Sequence, residues 1–140
     1  MKDWILLTLV VAMVTGWLIG CGKASSSETL IEYRRSGGFA GLDDHLVVKK
    51  NGQALLTRKS ERYDFTLDRD TVTRLQTLFE DAEFSQFRKE YLPSRQGSDL
   101  FEYVVTYEGH TVRTVDGAVP PSLQPILDAF NQVVETQGKP

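Results

Sequence analysis

Leu46-Val47-Val48-Lys49-Lys50-Asn51-Gly52-Gln53-Ala54-Leu55-Leu56-Thr57 is the stretch on which the fold turns. Two short apolar runs flank Asn-Gly. That pairing is a strong hairpin signal, because a type I′ turn asks for positive φ at both central positions. A two-residue turn at Asn51-Gly52 sets the expected register: Lys50 faces Gln53, Val48 faces Leu55 and Leu46 faces Thr57. A second stretch repeats the pattern. Phe101, Tyr103, Val105 and Tyr107 alternate with Glu102, Val104, Thr106 and Glu108, and Glu108-Gly109 supplies the turn. Tyr107 then faces His110, Val105 faces Val112 and Tyr103 faces Thr114, with Val115 closing the strand.

Working outward, Thr29 to Arg35 reads as a first strand, with Leu30 or Ile31 and Tyr33 supplying its apolar face. It ends at Ser36-Gly37-Gly38-Phe39-Ala40-Gly41, where three glycines in five residues signal a loop. Tyr63, Phe65 and Leu67 alternate with polar residues and extend a strand toward a helix. Asp68 is the expected N-cap of that helix. Val72, Leu75, Leu78, Phe79 and Ala82 fall on one of its faces. Phe84, Phe87 and Tyr91 follow less regularly, and Pro93 to Gly97 is a loop. Pro120-Pro121 stops the sheet, and Ser122 is the expected cap of the last helix. Pro125 lies in its first turn, where a missing N–H costs little. Leu123, Ile126, Leu127, Phe130, Val133 and Val134 form its stripe, and Gly138 ends it. Strands joined by tight hairpins, with helices between and after them, predict an α+β domain over residues 29–138. The expected architecture is an antiparallel β-sheet built from hairpins with two helices packed on one face.

The N-terminal segment has another character. Met1-Lys2 gives a positive start, and Trp4 to Trp17 is almost wholly apolar, the pattern of a secretory h-region. It falls short of the ~20 apolar residues of a comfortable transmembrane helix. Leu18-Ile19-Gly20-Cys21 resembles the lipobox of bacterial lipoproteins: an aliphatic residue three before the cysteine and a small residue just before it. The resemblance implies that residues 1–21 are a lipoprotein signal, that lipid is attached to the Cys21 thiol, and that cleavage makes Cys21 the new N-terminus. Cys21 is the only cysteine of the chain, which fits that role. Two or three acyl chains anchor stably where one gives marginal binding. Residues 22–28 read as a flexible tether of small polar residues. The expected location is the bacterial cell envelope outside the cytoplasm, lipid-anchored to the membrane through Cys21. Gly22, which is not aspartate, points to the outer membrane in a cell that has one.

Composition removes several classes of function. Net charge is −3 with the charges scattered, whereas nucleic-acid binding needs a basic patch or stripe. A single cysteine excludes an internal disulfide framework and any multi-cysteine metal site. Two histidines with no His-Glu-x-x-His spacing give no basis for a metal or another cofactor. Asp43-Asp44-His45 looks like a metal or acid–base cluster, but adjacent residues of an extended segment point to opposite faces. It reads as a solvated turn before a strand. His110 reads as a surface or cross-strand partner of Tyr107. Gly-x-Ser-x-Gly is absent, and the glycine loop lacks the Lys-Ser/Thr of a phosphate-binding loop. The inventory therefore predicts a protein that is not an enzyme.

The glycine loop admits two readings. Phe39 tucks into the core while the glycines take positive φ, or the loop protrudes, with Phe39 or Leu42 as an apolar anchor for a partner's cleft. Tyr33-Arg34-Arg35-Ser36-Gly37-Gly38-Phe39-Ala40-Gly41 resembles the opening motif of the emfourin family. The likeness continues through the apolar segment Leu75 to Phe87, Asp99 ahead of a strand carrying Tyr103, and Pro120-Pro121-Ser122-Leu123-Gln124-Pro125-Ile126-Leu127. Emfourins are small protein inhibitors of protealysin-like metallopeptidases, relatives of thermolysin, and act at the active-site cleft. The resemblance implies a lipid-anchored inhibitor of a thermolysin-like metallopeptidase, with Gly37, Gly38, Phe39, Ala40, Gly41 and Leu42 as the protease-binding loop. The alternative is a non-inhibitory lipoprotein module that binds or assembles another envelope protein.

Overall fold

A computed structural model of the chain describes residues 28–95, 97 and 99–139. The expected signal segment, the expected lipobox with Cys21, and the expected tether apart from Glu28 lie outside the described residues. The elements are β1 (Thr29–Gly37), β2 (Leu42–Lys49), β3 (Gln53–Arg58), β4 (Glu61–Thr66), α1 (Arg69–Asp81), β5 (Glu90–Tyr91), β6 (Phe101–Tyr107), β7 (His110–Val115) and α2 (Gln124–Gln137). A 3-10 turn, Phe84–Gln86, follows α1. The strands form one seven-stranded sheet in the order β4-β3-β2-β1-β6-β7-β5. Every pairing is antiparallel except that of β5 with β7. The fold is therefore α+β, with a mostly antiparallel sheet and two α-helices. No helix among the described residues is long and apolar enough to cross a membrane.

β1 lies at the middle of the sheet, and its alternation sets the core. Ile31 and Tyr33 are buried, as are Leu46, Val48, Ala54 and Leu56 on β2 and β3 and Val105 and Val112 on β6 and β7. Leu30 and Ile31 are both buried because the pairing of β1 with β2 is irregular between Thr29 and Ile31. From α1, Val72, Leu75 and Phe79 join this cluster; from α2, Ile126, Leu127, Phe130 and Val134 do. Phe79 stacks on Tyr107 at 4.2 Å, and Phe130 on Tyr33 at 5.0 Å, between ring centroids. Asp68 caps α1 as its sequence position predicts, its carboxylate accepting from the Thr71 N–H at 2.8 Å.

Three local expectations are corrected. The first is the hairpin at Asn51-Gly52. Val48 pairs with Ala54 and Leu46 with Leu56, one residue away from the expected register. Only Gly52 of the two turn residues takes positive φ, at +86°. The connection spans Lys50, Asn51 and Gly52, closed by a Gly52 N–H bond to the Lys49 carbonyl at 3.0 Å. A one-residue slip flips every side chain to the other face. The observed register places Leu46, Val48, Ala54 and Leu56 together in the core. The two-residue turn would have set Leu55 opposite Val48 instead. The hairpin at Glu108-Gly109 has the expected register and positive φ at both residues, +48° and +85°.

The second correction concerns strand ends. β1 continues through Ser36 and Gly37, and β2 begins at Leu42. Asp43, Asp44 and His45 are thus strand residues rather than a solvated turn. The third concerns α2. Its N-cap is Leu123, with no side-chain cap, and Ser122 is exposed. Leu123 is buried and its N–H donates to the Pro120 carbonyl at 2.9 Å. A turn through the prolines, anchored by that burial, leads the chain into the helix.

Candidate functional site

Because β1 and β2 extend toward one another, the connection between them is only Gly38, Phe39, Ala40 and Gly41. Gly37 ends β1 opposite Leu42, the first residue of β2. The six residues singled out in the sequence therefore form one tip and its two supports. Inside the tip, the Gly41 N–H donates to the Gly38 carbonyl at 3.0 Å. A neighbouring segment braces it. The Gly38 N–H donates to the Leu100 carbonyl at 3.4 Å, and the Phe39 N–H donates to Asp99 Oδ1 at 3.2 Å.

Two glycines are needed for space as well as for φ. At Gly37 (φ +109°) a Cβ would stand 2.4 Å from the Leu100 carbonyl oxygen. At Gly38 (φ +69°) it would stand 2.7 Å from the Phe101 ring. Phe101, not Phe39, lies against the base of the loop. Phe39 is 87% exposed, which removes its reading as a core plug. Leu42 is half-buried at the strand start, so Phe39 is the apolar group the tip presents. Among the described residues, Leu92 is a second large hydrophobic exposed to water, at 49%.

Beneath the loop lies a charged cluster. Asp44 has no solvent exposure. Its Oδ2 accepts from Arg35 Nη2 at 2.7 Å and Nε at 3.2 Å, and its Oδ1 accepts from Arg58 Nε at 2.7 Å. Arg35 also donates to Glu135 Oε1 at 2.7 Å and to Asn131 Oδ1 at 3.0 Å, and the Tyr33 hydroxyl donates to the same Asn131 oxygen. Arg58 reaches the Gly138 carbonyl at 3.0 Å. Strands β1, β2 and β3 are thereby tied to the end of α2. Burial alone would raise the Asp44 pKa, but the hydrogen bonds from Arg58 and Arg35 outweigh it and hold the carboxyl below its ordinary value. Burial pushes the Tyr33 hydroxyl well above its ordinary pKa and that of Tyr103 up to about 12.

The other members of the Asp43-Asp44-His45 string face away from this cluster, as strand alternation requires. Asp43 accepts from Arg34 at 3.0 Å, and His45 pairs with Glu32 at 2.7 Å. His110 pairs with Tyr107 in the ladder, and its Nε2 lies 3.0 Å from the Phe87 carbonyl. Among the described residues no three His, Cys, Asp or Glu side chains are placed to hold a metal ion.

Sequence reasoning missed the buried cluster, although a signal was present. Arg35 continues the Ile31–Tyr33 core parity, and Asp44 precedes Leu46 and Val48 in theirs. Two opposite charges on inward positions of neighbouring strands need each other. The chain matches no protein-family model and no curated protein.

Proposed function

We propose that this protein is a lipid-anchored inhibitor of thermolysin-like metallopeptidases in the bacterial cell envelope, acting through the Gly37–Leu42 loop. The observation that carries the reading is the 87% exposure of Phe39 on a loop whose backbone is braced from Asp99 and Leu100. A large apolar side chain held in water by a pinned backbone is suited to a partner's pocket. Burying it yields roughly 1.5–3 kcal/mol, and a loop already ordered loses little entropy on docking. The resemblance to emfourins names the pocket, since thermolysin-like peptidases favour large apolar side chains in their specificity pocket. Cys21, within its lipobox, supplies the anchor.

In this reading the two helices cover one face of the hairpin-built sheet and leave the other to water. The ion pairs Arg34–Asp43, His45–Glu32 and Arg113 with Glu90 and Glu102 suit such a solvated face. The loop end of the sheet is then the surface with apolar groups to offer. Leu92 belongs to that end too, directly after β5, which runs parallel to β7. This second exposed hydrophobic favours one alternative, a module that docks on another envelope protein without inhibiting anything.

The test is to incubate the full chain, in non-ionic detergent, with a thermolysin-like peptidase and measure residual activity at several substrate concentrations. Inhibition overcome by substrate is the expected result. Full residual activity at micromolar chain would leave the docking module as the surviving reading.

A further inference from the structure

We infer that the anchored protein displays its Phe39 loop on the side facing away from the membrane, for a partner that arrives from the aqueous phase. The inference rests on the anchoring and loop readings above and adds a direction to them. The chain enters the domain at Glu28, whose carbonyl accepts from the Lys50 N–H at 3.0 Å, and Leu30 accepts from the Glu108 N–H at 3.4 Å. The entrance is therefore flanked by the β2–β3 and β6–β7 turns. The loop lies at the opposite end of the same strand. Nine residues of β1, from Thr29 to Gly37, span about 27 Å at ~3.4 Å per residue.

The length of chain between lipid and domain excludes the inverted placement. From Cys21 to Glu28 are seven residue steps, a reach of at most about 25 Å even when fully extended. Turning the domain over, so that its loop met the bilayer, would lift Glu28 by the whole length of β1 and the loop beyond it. The chain is too short for that. Tipping the domain onto either sheet edge does not bring the loop down either. β1 is the fourth of seven strands, so three strands, about 14 Å at ~4.8 Å each, stay between it and the surface. The β3–β4 turn, Lys59-Ser60, and the segment after β5 share the loop's end of the sheet. A partner meeting Phe39 thus meets those turns, and not the Lys50-Asn51-Gly52 or Glu108-Gly109 turns.

The experiment uses the full lipidated chain, purified from bacterial membranes and reconstituted in phosphatidylcholine vesicles that carry a nitroxide on the lipid headgroup. A fluorophore is placed in turn on Ala40→Cys, Ser60→Cys, Lys50→Cys and Gln53→Cys, and variants with the wild-type melting temperature are used. Two sites at each end keep the comparison available if one variant fails to fold. The expected result is quenching at residues 50 and 53 at least about fivefold stronger than at 40 and 60. Equal or stronger quenching at 40 and 60, on chain that floats with the vesicles, would overturn the display while leaving the anchor intact. Wild-type chain that does not float with vesicles, or Cys21→Ser chain that still incorporates radiolabelled palmitate, would overturn the anchoring reading and the display together.

Discussion

Asp44 carries a carboxylate with no solvent exposure, held by two guanidinium groups. Removing one member of a buried pair leaves the others uncompensated, at a cost of about 3–5 kcal/mol. Asp44→Ala should therefore lose about that much in chemical denaturation. The pH dependence follows from the direction of the shift. The folded carboxyl titrates below its ordinary value. Its stabilisation is then complete above the unfolded pKa of ~3.9 and fades as pH falls through the lower folded value. The melting temperature of the wild type should drop more steeply below about pH 4 than that of Asp44→Asn, which starts lower and has no charge to lose there. Parallel curves would show that other groups govern acid stability. This residue was hidden in the sequence for a definite reason. Asp43-Asp44-His45 is as polar as a turn, and only its parity with Leu46 and Val48 separates the inward aspartate from its outward neighbours.

Among the elements, the two hairpins show what turn chemistry can and cannot give. Glu108-Gly109 joins strands whose apolar alternation already agrees with a two-residue turn, and the register is as read. Asn51-Gly52 offers the same local cue, yet the turn takes in Lys50 because Leu46 and Val48 share their face with Leu56 and Ala54. Burial outranks the dipeptide. β5 has two residues and no alternation of its own, so nothing in the sequence marked it. The α2 stripe, by contrast, was fully legible, and five of its six residues are buried. Phe130 is without exposure and stacks on Tyr33. Phe130→Ala should cost about 3–5 kcal/mol, read from urea denaturation, as buried aromatic deletions do. A change under ~1 kcal/mol would contradict this packing. The β1–β2 connection makes its own prediction. Gly37→Ala brings a Cβ against the Leu100 carbonyl at a positive φ and should lose roughly 1–3 kcal/mol. Gly41 (φ +56°) has open space around its Cβ position, so alanine there should lose only the left-handed penalty of about 1–2 kcal/mol. Comparing the two variants' folding free energies separates steric crowding from backbone handedness.

For the whole molecule, the strand order gives the parts their places: core at the middle of the sheet, chain entrance at one end, glycine loop at the other. The fold class and most elements were legible because hydrophobic period and turn residues agree over most of the chain. The loop was legible as a candidate but not in its orientation. Gly-Gly-Phe-Ala-Gly is equally good chemistry for a plugged turn and for a protruding one. What separates them is Phe101, sixty-two positions beyond Phe39, whose ring lies against Gly38. The role proposed for Phe39 is to engage a peptidase cleft. Its most direct test is the inhibition constant of Phe39→Ala against a thermolysin-like peptidase that the wild type inhibits, measured beside the melting temperature of the same variant. An exposed anchor lost without harm to the core should weaken inhibition by ~2 kcal/mol or more, about thirtyfold, with the melting temperature unchanged. An inhibition constant equal to that of the wild type would contradict that role.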